Sequence, residues 1–227
     1  MLHLPVIAGR LAPVAKTGAV KTSRGEQVLQ RRAELLAAAK QVVLERGLSH
    51  TRVADVADAT NVSGGLIHYH FATKDILLTE MLRTEAERDI EKARRLAGGP
   101  GSAVERLDRV MREFVPARND QTWVLWIDAW GAGLRDESLR HISEELDEAW
   151  RQMVEMVIVD GVAAGEFACP DPEGAADRIS AMLDGLGLRV TLRRPGITRK
   201  TMIEHARISA EKELGLPTGT LTNTNGQ

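Results

Sequence analysis

The sequence contains a single cysteine and no long hydrophobic run. Cys169 stands alone among 227 residues, which excludes an intrachain disulfide and a cysteine-rich metal site. No stretch approaches the ~20 consecutive apolar residues that a membrane-spanning helix requires. The first residues are mildly apolar, but Pro5, Arg10 and Pro13 interrupt them, so no signal peptide is predicted. We therefore expect a chain without membrane association in a reducing, cytoplasmic environment.

A strong excess of either charge is also absent. The net charge is only −2, which does not by itself indicate a nucleic-acid partner. Residues 1–80 hold ten Lys and Arg against seven Asp and Glu, whereas the remaining residues hold twenty against twenty-five. Residues 1–22 are predicted to form a flexible basic arm that either follows DNA phosphates or is a solvated leader. The basic residues at this end are Arg10, Lys16, Lys21 and Arg24.

Helical signals dominate the rest of the chain. Capping boxes at Ser23-x-x-Glu26 and Ser102-x-x-Glu105 mark helix starts, and Asp171-Pro172-Glu173 marks another. The periodicity predicts an all-α fold of about nine helices, with no convincing strand or repeat. We expect a helix-turn-helix unit over 23–80, a larger helical domain over 81–215 and a disordered polar tail over 216–227.

The segment 51–74 predicts two short helices joined by a tight turn. The first helix, from Arg52 to about Ala59, carries a buried stripe of Val and Ala at helical spacing. Asn61 tolerates a left-handed turn, and Ser63 is placed to cap the second helix, which runs from Gly64 to His70. Two helices on such a turn form the helix-turn-helix, whose second helix enters the major groove of DNA.

The second helix has small residues first and polar rings last. Gly64 and Gly65 permit close approach of the backbone to a base pair, and the helix N-terminus favours phosphate. His68, Tyr69 and His70 can donate to phosphates or base edges. A compact helical hairpin with a few surface aromatics is the alternative interpretation.

A multi-part pattern runs through the segment from Leu35 to Leu78. Its pieces are Glu45-Arg46-Gly47, Thr51-x-x-x-x-Val56-Ala57, Asn61-Val62-Ser63-x-Gly65-Leu66-Ile67, His70-Phe71 and Lys74-Asp75-x-Leu77. With these pieces the segment closely resembles the DNA-binding domain of the TetR family of bacterial transcriptional repressors, although most relatives carry Tyr where this chain has His68. We expect phosphate contacts from residues at helix starts and base contacts from the second helix. The expected DNA-binding residues are Thr51, Arg52, Ser63, Gly64, Gly65, His68, Tyr69, His70 and Lys74.

The resemblance also implies that helices four to eight enclose an effector pocket and that the last two helices form a dimer interface. The eighth helix is apolar around most of its circumference, and Gly185 and Gly187 would allow close helix approach. Packing within one chain would explain the same pattern. The residues expected at the dimer interface are Leu183, Leu186 and Val190.

Three of the four Trp residues lie on one short helix. Trp123, Trp126 and Trp130 fall within about 60° of each other, and Ile127 joins them, so we expect these four residues to bind the effector. A plain hydrophobic core is the alternative. An aromatic pocket suits a flat apolar or cationic compound. Asp128 points about 140–160° away from the first two rings, so a carboxylate partner would have to come from Glu155 or Asp184.

The leading hypothesis is a ligand-responsive repressor that binds a palindromic operator as a homodimer and is released by a small molecule. The alternatives are an all-helical small-molecule-binding protein or enzyme, and a nucleoid-type protein without an effector. No catalytic motif supports an enzyme, and His68 and His70 face apart on a helix, which argues against a metal pair. We expect no metal, no cofactor and no enzymatic activity.

Overall fold

The computed structural model describes residues 23–117 and 121–221, and these ranges contain nine α-helices and no strand, as the sequence predicted. The predicted arm over residues 1–22 lies outside the described residues. None of the described helices is both long and apolar enough to cross a membrane. The helices are α1 (Arg24–Arg46), α2 (Val53–Thr60), α3 (Gly64–His70), α4 (Lys74–Ala97), α5 (Ala103–Glu113), α6 (Gln121–Gly133), α7 (Glu137–Ala163), α8 (Pro172–Thr191) and α9 (Arg199–Glu213).

Local capping explains most of the helix boundaries. Capping boxes start α1 at Ser23 and α5 at Ser102, and Asp171 caps α8 ahead of a proline in its first turn. Gly47 ends α1 with a φ of +83°, a value that favours glycine. A short 3-10 helix, Leu48–His50, then connects α1 to α2. The sequence pattern did not predict this element.

The first hydrophobic cluster holds the helix-turn-helix unit together and continues beyond it. Leu35, Val56 and Ile67 come from α1, α2 and α3, and all three are buried. Leu125 and Ile142 from α6 and α7 belong to the same cluster. The core therefore crosses the boundary that the sequence suggested near residue 80.

The second hydrophobic cluster joins α5, α7, α8 and α9 to the end of α4. Leu107, Ile158, Leu183 and Met202 are representative members, each with no measurable exposure. A buried ion pair crosses this cluster, because the Arg207 guanidinium donates two hydrogen bonds to one carboxylate oxygen of Asp108, at 2.7 and 2.8 Å.

The segment after α9 is folded onto the protein as far as Leu221. Leu221 is fully buried, and its N–H donates to the Glu211 carboxylate at 2.9 Å. The Gly219 N–H donates to the other oxygen of Glu211 at 3.0 Å. The expectation of a disordered tail over 216–227 is therefore wrong for residues 216–221, because one apolar side chain anchors them to the second cluster. Residues 222–227 lie outside the described ranges.

Candidate functional site

The turn between α2 and α3 has the geometry that its sequence predicts. Asn61 adopts a left-handed conformation with φ 51° and ψ 45°. The Ser63 hydroxyl accepts a hydrogen bond from the Leu66 N–H at 3.3 Å, which caps α3. Ile67 and Phe71 are buried beneath α3, so its opposite face is free to contact another molecule.

Arg32 of α1 fixes the end of α3, and sequence reasoning missed it. Its guanidinium lies 4.2 Å from the centre of the Phe71 ring, donates to the His70 carbonyl and forms an ion pair with Glu80. Only the folded structure reveals this role, because these partners lie 38 and 48 residues away along the chain.

The outward face of α3 exposes the residues that were expected to meet DNA. Ser63, Gly65, His68 and Tyr69 are exposed, and Tyr69 is 72% accessible. A Cβ at Gly64 would meet no atom within 4 Å, so packing within the chain does not account for a glycine at this position. His70 is half-buried, and its ring contacts that of Tyr69 at a centroid distance of 5.2 Å.

A basic concavity lies beside α3, at the starts of α2 and α4. It is lined by Arg46, Ser49, His50, Thr51, Arg52, Val53 and Lys74. Arg46 and His50 were not predicted as DNA-binding residues, although Arg46 lies within the matching piece Glu45-Arg46-Gly47 and His50 directly precedes Thr51. Four side chains that carry or can acquire positive charge thus surround one hollow, an arrangement suited to a phosphate backbone.

Thr51 has a structural role that was not expected. It is 1% exposed, and its hydroxyl donates to the Gly47 carbonyl at 2.9 Å, which holds the turn between α1 and α2. Its contact with phosphate stays a prediction. Arg52 is exposed and Lys74 is half-buried at the first position of α4.

An aromatic cavity of about 430 Å³ lies between α4, α5, α6, α7 and α8. The rings of Trp123 and Trp130 meet edge to face at a centroid distance of 6.1 Å, and those of Phe114 and Trp150 do so at 4.4 Å. The lining residues are Asp89, Lys92, Arg112, Glu113, Phe114, Val115, Ala117, Thr122, Trp123, Trp126, Trp130, Leu146, Asp147, Trp150, Ser180 and Asp184.

Indole N–H groups are bound to fixed partners around this cavity. The Trp126 N–H donates to the Asp89 carboxylate at 3.0 Å, and the Trp123 N–H donates to the Phe114 carbonyl at 3.0 Å. Trp130 and Asp147 line the same cavity. The two bonds fix the planes of the Trp123 and Trp126 rings and hold the Asp89 carboxylate beside one of them.

Three aspartates of the cavity have raised pKa values. Burial, reinforced by the charge of Asp147, raises the pKa of Asp184 to about 7. Burial also raises the pKa of Asp147 to about 6, against the opposing influence of the Trp130 side chain, although Asp147 as a whole residue is exposed. Burial raises the pKa of Asp89, and its bond to Trp126 reduces the effect. A cation in the cavity would relieve the cost of ionising all three.

The remaining charges leave the cavity with an acidic excess. Lys92 forms an ion pair with Glu113, and Arg112 forms one with Asp108 at 2.6 Å. With its two cations so engaged, the lining presents Asp89, Asp147 and Asp184 to an occupant.

One expectation about the cavity was wrong: Ile127 does not line it, because the cavity covers only one side of the apolar stripe on α6. Of the two carboxylates that the sequence left open, Asp184 lines the cavity, whereas Glu155 does not and its carboxylate binds Arg151 at 2.9 Å. Asp128 faces away, as its helical angle indicated.

The eighth helix divides its apolar residues between two environments. Leu183 is fully buried within its own chain, so the expectation that it contacts a second copy is wrong. Leu186 and Val190 are only partly buried. A Cβ at Gly187 would lie 2.1 Å from the Trp123 ring, whereas one at Gly185 would meet no atom within 4 Å. Gly187 thus serves packing within the chain, and Gly185 faces open space.

A helix-turn-helix with a basic flank, joined to a helical chamber with a polar and aromatic lining, defines a DNA-binding regulator that responds to small molecules. The family described as bacterial regulatory proteins, tetR family, matches residues 35–81, and BetI-type transcriptional repressor, C-terminal, matches residues 103–215. The chain belongs to the TetR family of transcriptional regulators and carries a BetI-type C-terminal domain.

Individual relatives agree with this assignment. The chain is 30% identical over 174 residues to the transcriptional regulator BetI of Burkholderia mallei (strain NCTC 10229), which covers 71% of this chain and 82% of the relative. It is 28% identical over 142 residues to the transcriptional repressor KstR2 of Mycobacterium tuberculosis (strain ATCC 25618 / H37Rv), covering 62% and 71%. A regulator from Saccharomonospora viridis, solved in complex with choline, superposes with a TM-score of 0.75 at 27% identity, covering 81% of this chain and 96% of that one.

Proposed function

We propose that this TetR-family regulator is a repressor whose effector is a small organic cation of the quaternary ammonium type, bound in the aromatic cavity. In this proposal a homodimer binds a palindromic operator, and the cation releases it. The observation that carries the proposal is the meeting of aromatic rings and aspartates around one cavity of about 430 Å³.

The ring faces supply most of the recognition of a quaternary ammonium ion. Such an ion has no N–H to donate, so hydrogen bonds cannot select it, whereas the negative faces of aromatic rings attract it. Trp123, Trp126, Trp130 and Trp150 all line the cavity, and Phe114 adds a fifth ring. A ring–cation contact contributes about 0.5–2 kcal/mol, depending on how far both partners are desolvated.

The aspartates add the charge that an apolar aromatic pocket would lack. A purely apolar effector would be served poorly by Asp89, Asp147 and Asp184, because it would offer their carboxyl groups neither a charge nor a hydrogen-bond partner. A cation stabilises their ionised form and so counteracts the effect of burial on their pKa values. The choline complex of the Saccharomonospora viridis regulator supports the same ligand class.

The operator and the dimer follow from the size of the DNA-binding surface. One α3 of seven residues reads few base pairs, and a two-fold dimer doubles the site. Leu186 and Val190, which are partly buried, and Gly185, which faces open space, support α8 as part of the dimer face together with α9. Exposed Ser63, Gly65, His68 and Tyr69 would face the groove, while Arg52, Lys74 and His70 would approach phosphates.

Tryptophan fluorescence tests the ligand class directly. Titration with choline is expected to change the emission of the purified protein in a saturable manner. The control is the neutral isostere in which a tert-butyl group replaces the trimethylammonium group, and it is expected to bind at least about tenfold more weakly because it lacks the charge. Equal binding of both compounds would instead indicate an apolar effector, and no response to either would refute the proposed class.

A variant separates ring recognition from folding. Trp126 is 6% exposed and belongs to the first hydrophobic cluster, so its removal would cost about 3–5 kcal/mol of stability. Trp130 is only half-buried. Trp130→Ala is therefore expected to weaken choline binding about 2–30-fold while the operator affinity of the ligand-free protein stays near that of the wild type. A parallel loss of folding and DNA binding would favour a purely structural role for this ring.

A further inference from the structure

Helix α6 has two functional faces that point in opposite directions. Trp123, Trp126 and Trp130 line the aromatic cavity on one side. Asp128 points to the other side, where its carboxylate accepts a hydrogen bond from the Leu48 N–H at 2.6 Å. This bond joins two residues 80 positions apart and connects the cavity wall to the helix-turn-helix unit.

The backbone around Leu48 is shaped to receive this carboxylate. Gly47 has a φ of +83°, and a Cβ on it would lie 3.4 Å from an Asp128 carboxylate oxygen. A larger residue at 47 would therefore be strained by its backbone conformation, whereas its Cβ would make an ordinary contact with the carboxylate. Leu48 is 2% exposed, so the carboxylate holds the turn at its buried first residue.

The turn that Asp128 holds leads directly to the basic concavity. Leu48 begins the 3-10 helix Leu48–His50, and Thr51 closes the turn with its hydroxyl on the Gly47 carbonyl. His50 and Arg52 project into the concavity from this short segment. A shift of α6 that moves Asp128 therefore moves the groups placed to bind phosphate.

We propose that Asp128 couples occupancy of the aromatic cavity to the position of the segment Leu48–Arg52, acting as a positioning residue for the phosphate-binding surface. The inference rests on the proposed function, because it assigns to the cavity the role of effector site. An occupant that displaces the rings of α6 displaces the opposite face of the same rigid helix, and the hydrogen bond carries that movement to Leu48. Coupling between two sites requires a structural element with two positions that differ in ligand affinity. In this proposal that element is the turn between α1 and α2, and its position determines operator affinity.

The first test compares Asp128→Ala with Asp128→Asn. Operator affinity is measured with and without choline, and choline affinity is measured by tryptophan fluorescence. In the wild type, saturating choline is expected to lower operator affinity by about tenfold or more, within the usual range of coupling between sites. In Asp128→Ala this ratio is expected to fall below about threefold, while choline affinity stays within about twofold of the wild type. Asp128→Asn keeps a carbonyl acceptor for the Leu48 N–H and is expected to restore part of the ratio.

A second pair of variants makes the test independent of the choice of ligand. Ser180 lines the cavity, and its hydroxyl is buried without a hydrogen-bond partner. Ser180→Lys places a tethered ammonium near Asp147 and Asp184, and Ser180→Met is the uncharged control of similar length. Ser180→Lys is expected to weaken operator binding when it is the only substitution. When it is combined with Asp128→Ala, operator affinity is expected to equal that of Asp128→Ala alone.

The possible outcomes distinguish the two proposals. If choline fails to bind but Ser180→Lys weakens operator binding only when Asp128 is present, the ligand assignment is wrong and the coupling role is supported. If choline or Ser180→Lys acts equally well without the Asp128 carboxylate, the coupling role is overturned. It is also overturned if neither perturbation affects operator binding. If Asp128→Ala does not fold, Asp128→Asn provides the test. A smaller effect of choline on operator affinity, together with faster amide exchange at Leu48, supports the coupling role of Asp128, and an unchanged effect of choline overturns it.

Discussion

Replacing Gly187 of α8 with alanine should displace the Trp123 ring, which forms part of the wall of the aromatic cavity. The new Cβ would lie 2.1 Å from Cη2 and 2.3 Å from Cζ2 of Trp123. Nonbonded carbon atoms approach to about 3.5 Å, so the indole must retreat by roughly 1.5 Å. The ring cannot retreat freely, because its N–H is bound to the Phe114 carbonyl at 3.0 Å.

The change in the free energy of unfolding is the sum of three contributions, two that lower it and one that raises it. Overpacking of this kind costs about 1–3 kcal/mol, and loss of the Trp123 hydrogen bond costs about 0.5–1.5 kcal/mol. Alanine in a helix interior regains about 1 kcal/mol relative to glycine. Gly187→Ala is therefore expected to lower the free energy of unfolding by about 0.5–3.5 kcal/mol, which corresponds to a decrease of about 1–14 °C in Tm for a chain of this length. Choline binding should weaken as well, because Trp123 is part of the cavity wall.

Gly131→Ala is the matched control. Gly131 also lies within a helix, α6, but a Cβ there would meet no atom within 4 Å. This variant should be as stable as the wild type or up to about 1 kcal/mol more stable. Thermal unfolding at equal protein concentration and choline titration by fluorescence measure both effects. If Gly187→Ala matched Gly131→Ala in Tm and bound choline like the wild type, the packing of Trp123 against α8 would be refuted.

Three further predictions address the effector, the DNA and the dimer. Choline affinity should fall as pH decreases from 8 to 5, because the pKa values of Asp184 (about 7) and Asp147 (about 6) mean that protonation removes their charge within this range. Asp184→Asn should reduce the change in choline affinity near pH 7. A choline affinity that does not depend on pH would contradict the role of both carboxylates. Lys74→Ala should weaken binding to operator and scrambled DNA alike and reduce the salt slope by about one unit, whereas Gly65→Leu should remove operator preference first; a reversed pattern in salt-series binding would place α3 outside the groove. Leu186→Arg should shift sedimentation towards monomer and abolish operator binding, and an unaltered dimer would exclude this face of α8 from the interface.

The helices were predictable because their boundaries are encoded locally. Ser23, Ser102 and Asp171 each cap a helix that begins at the next residue. The 3-10 helix Leu48–His50 was missed because the polar contact at its start comes from Asp128, 80 residues away. Sequence patterns within a short window carry no information about such a partner.

The same limit applied to the cavity. Helical periodicity correctly grouped the three Trp residues of α6 on its wall, since their relative directions depend on one helix alone. Asp89 and Asp147 come from α4 and α7, and Phe114 directly follows α5, so only the packing of those helices brings them to the same cavity. Leu183 was misplaced for a related reason: an apolar helix face does not reveal whether its own chain or a second copy will cover it.

The first hydrophobic cluster determines how this protein could be recombined with its relatives. Leu125 of α6 and Ile142 of α7 complete the core beneath α1, α2 and α3. A chimera spliced within α4, with the DNA-reading helices of this chain grafted onto a foreign sensor, would lose these side chains and expose the apolar underside of the graft. Hybrid regulators are therefore expected to fold only when the recipient supplies apolar residues of matching volume at both positions, so the practical unit of exchange is a three-dimensional surface and not a length of sequence.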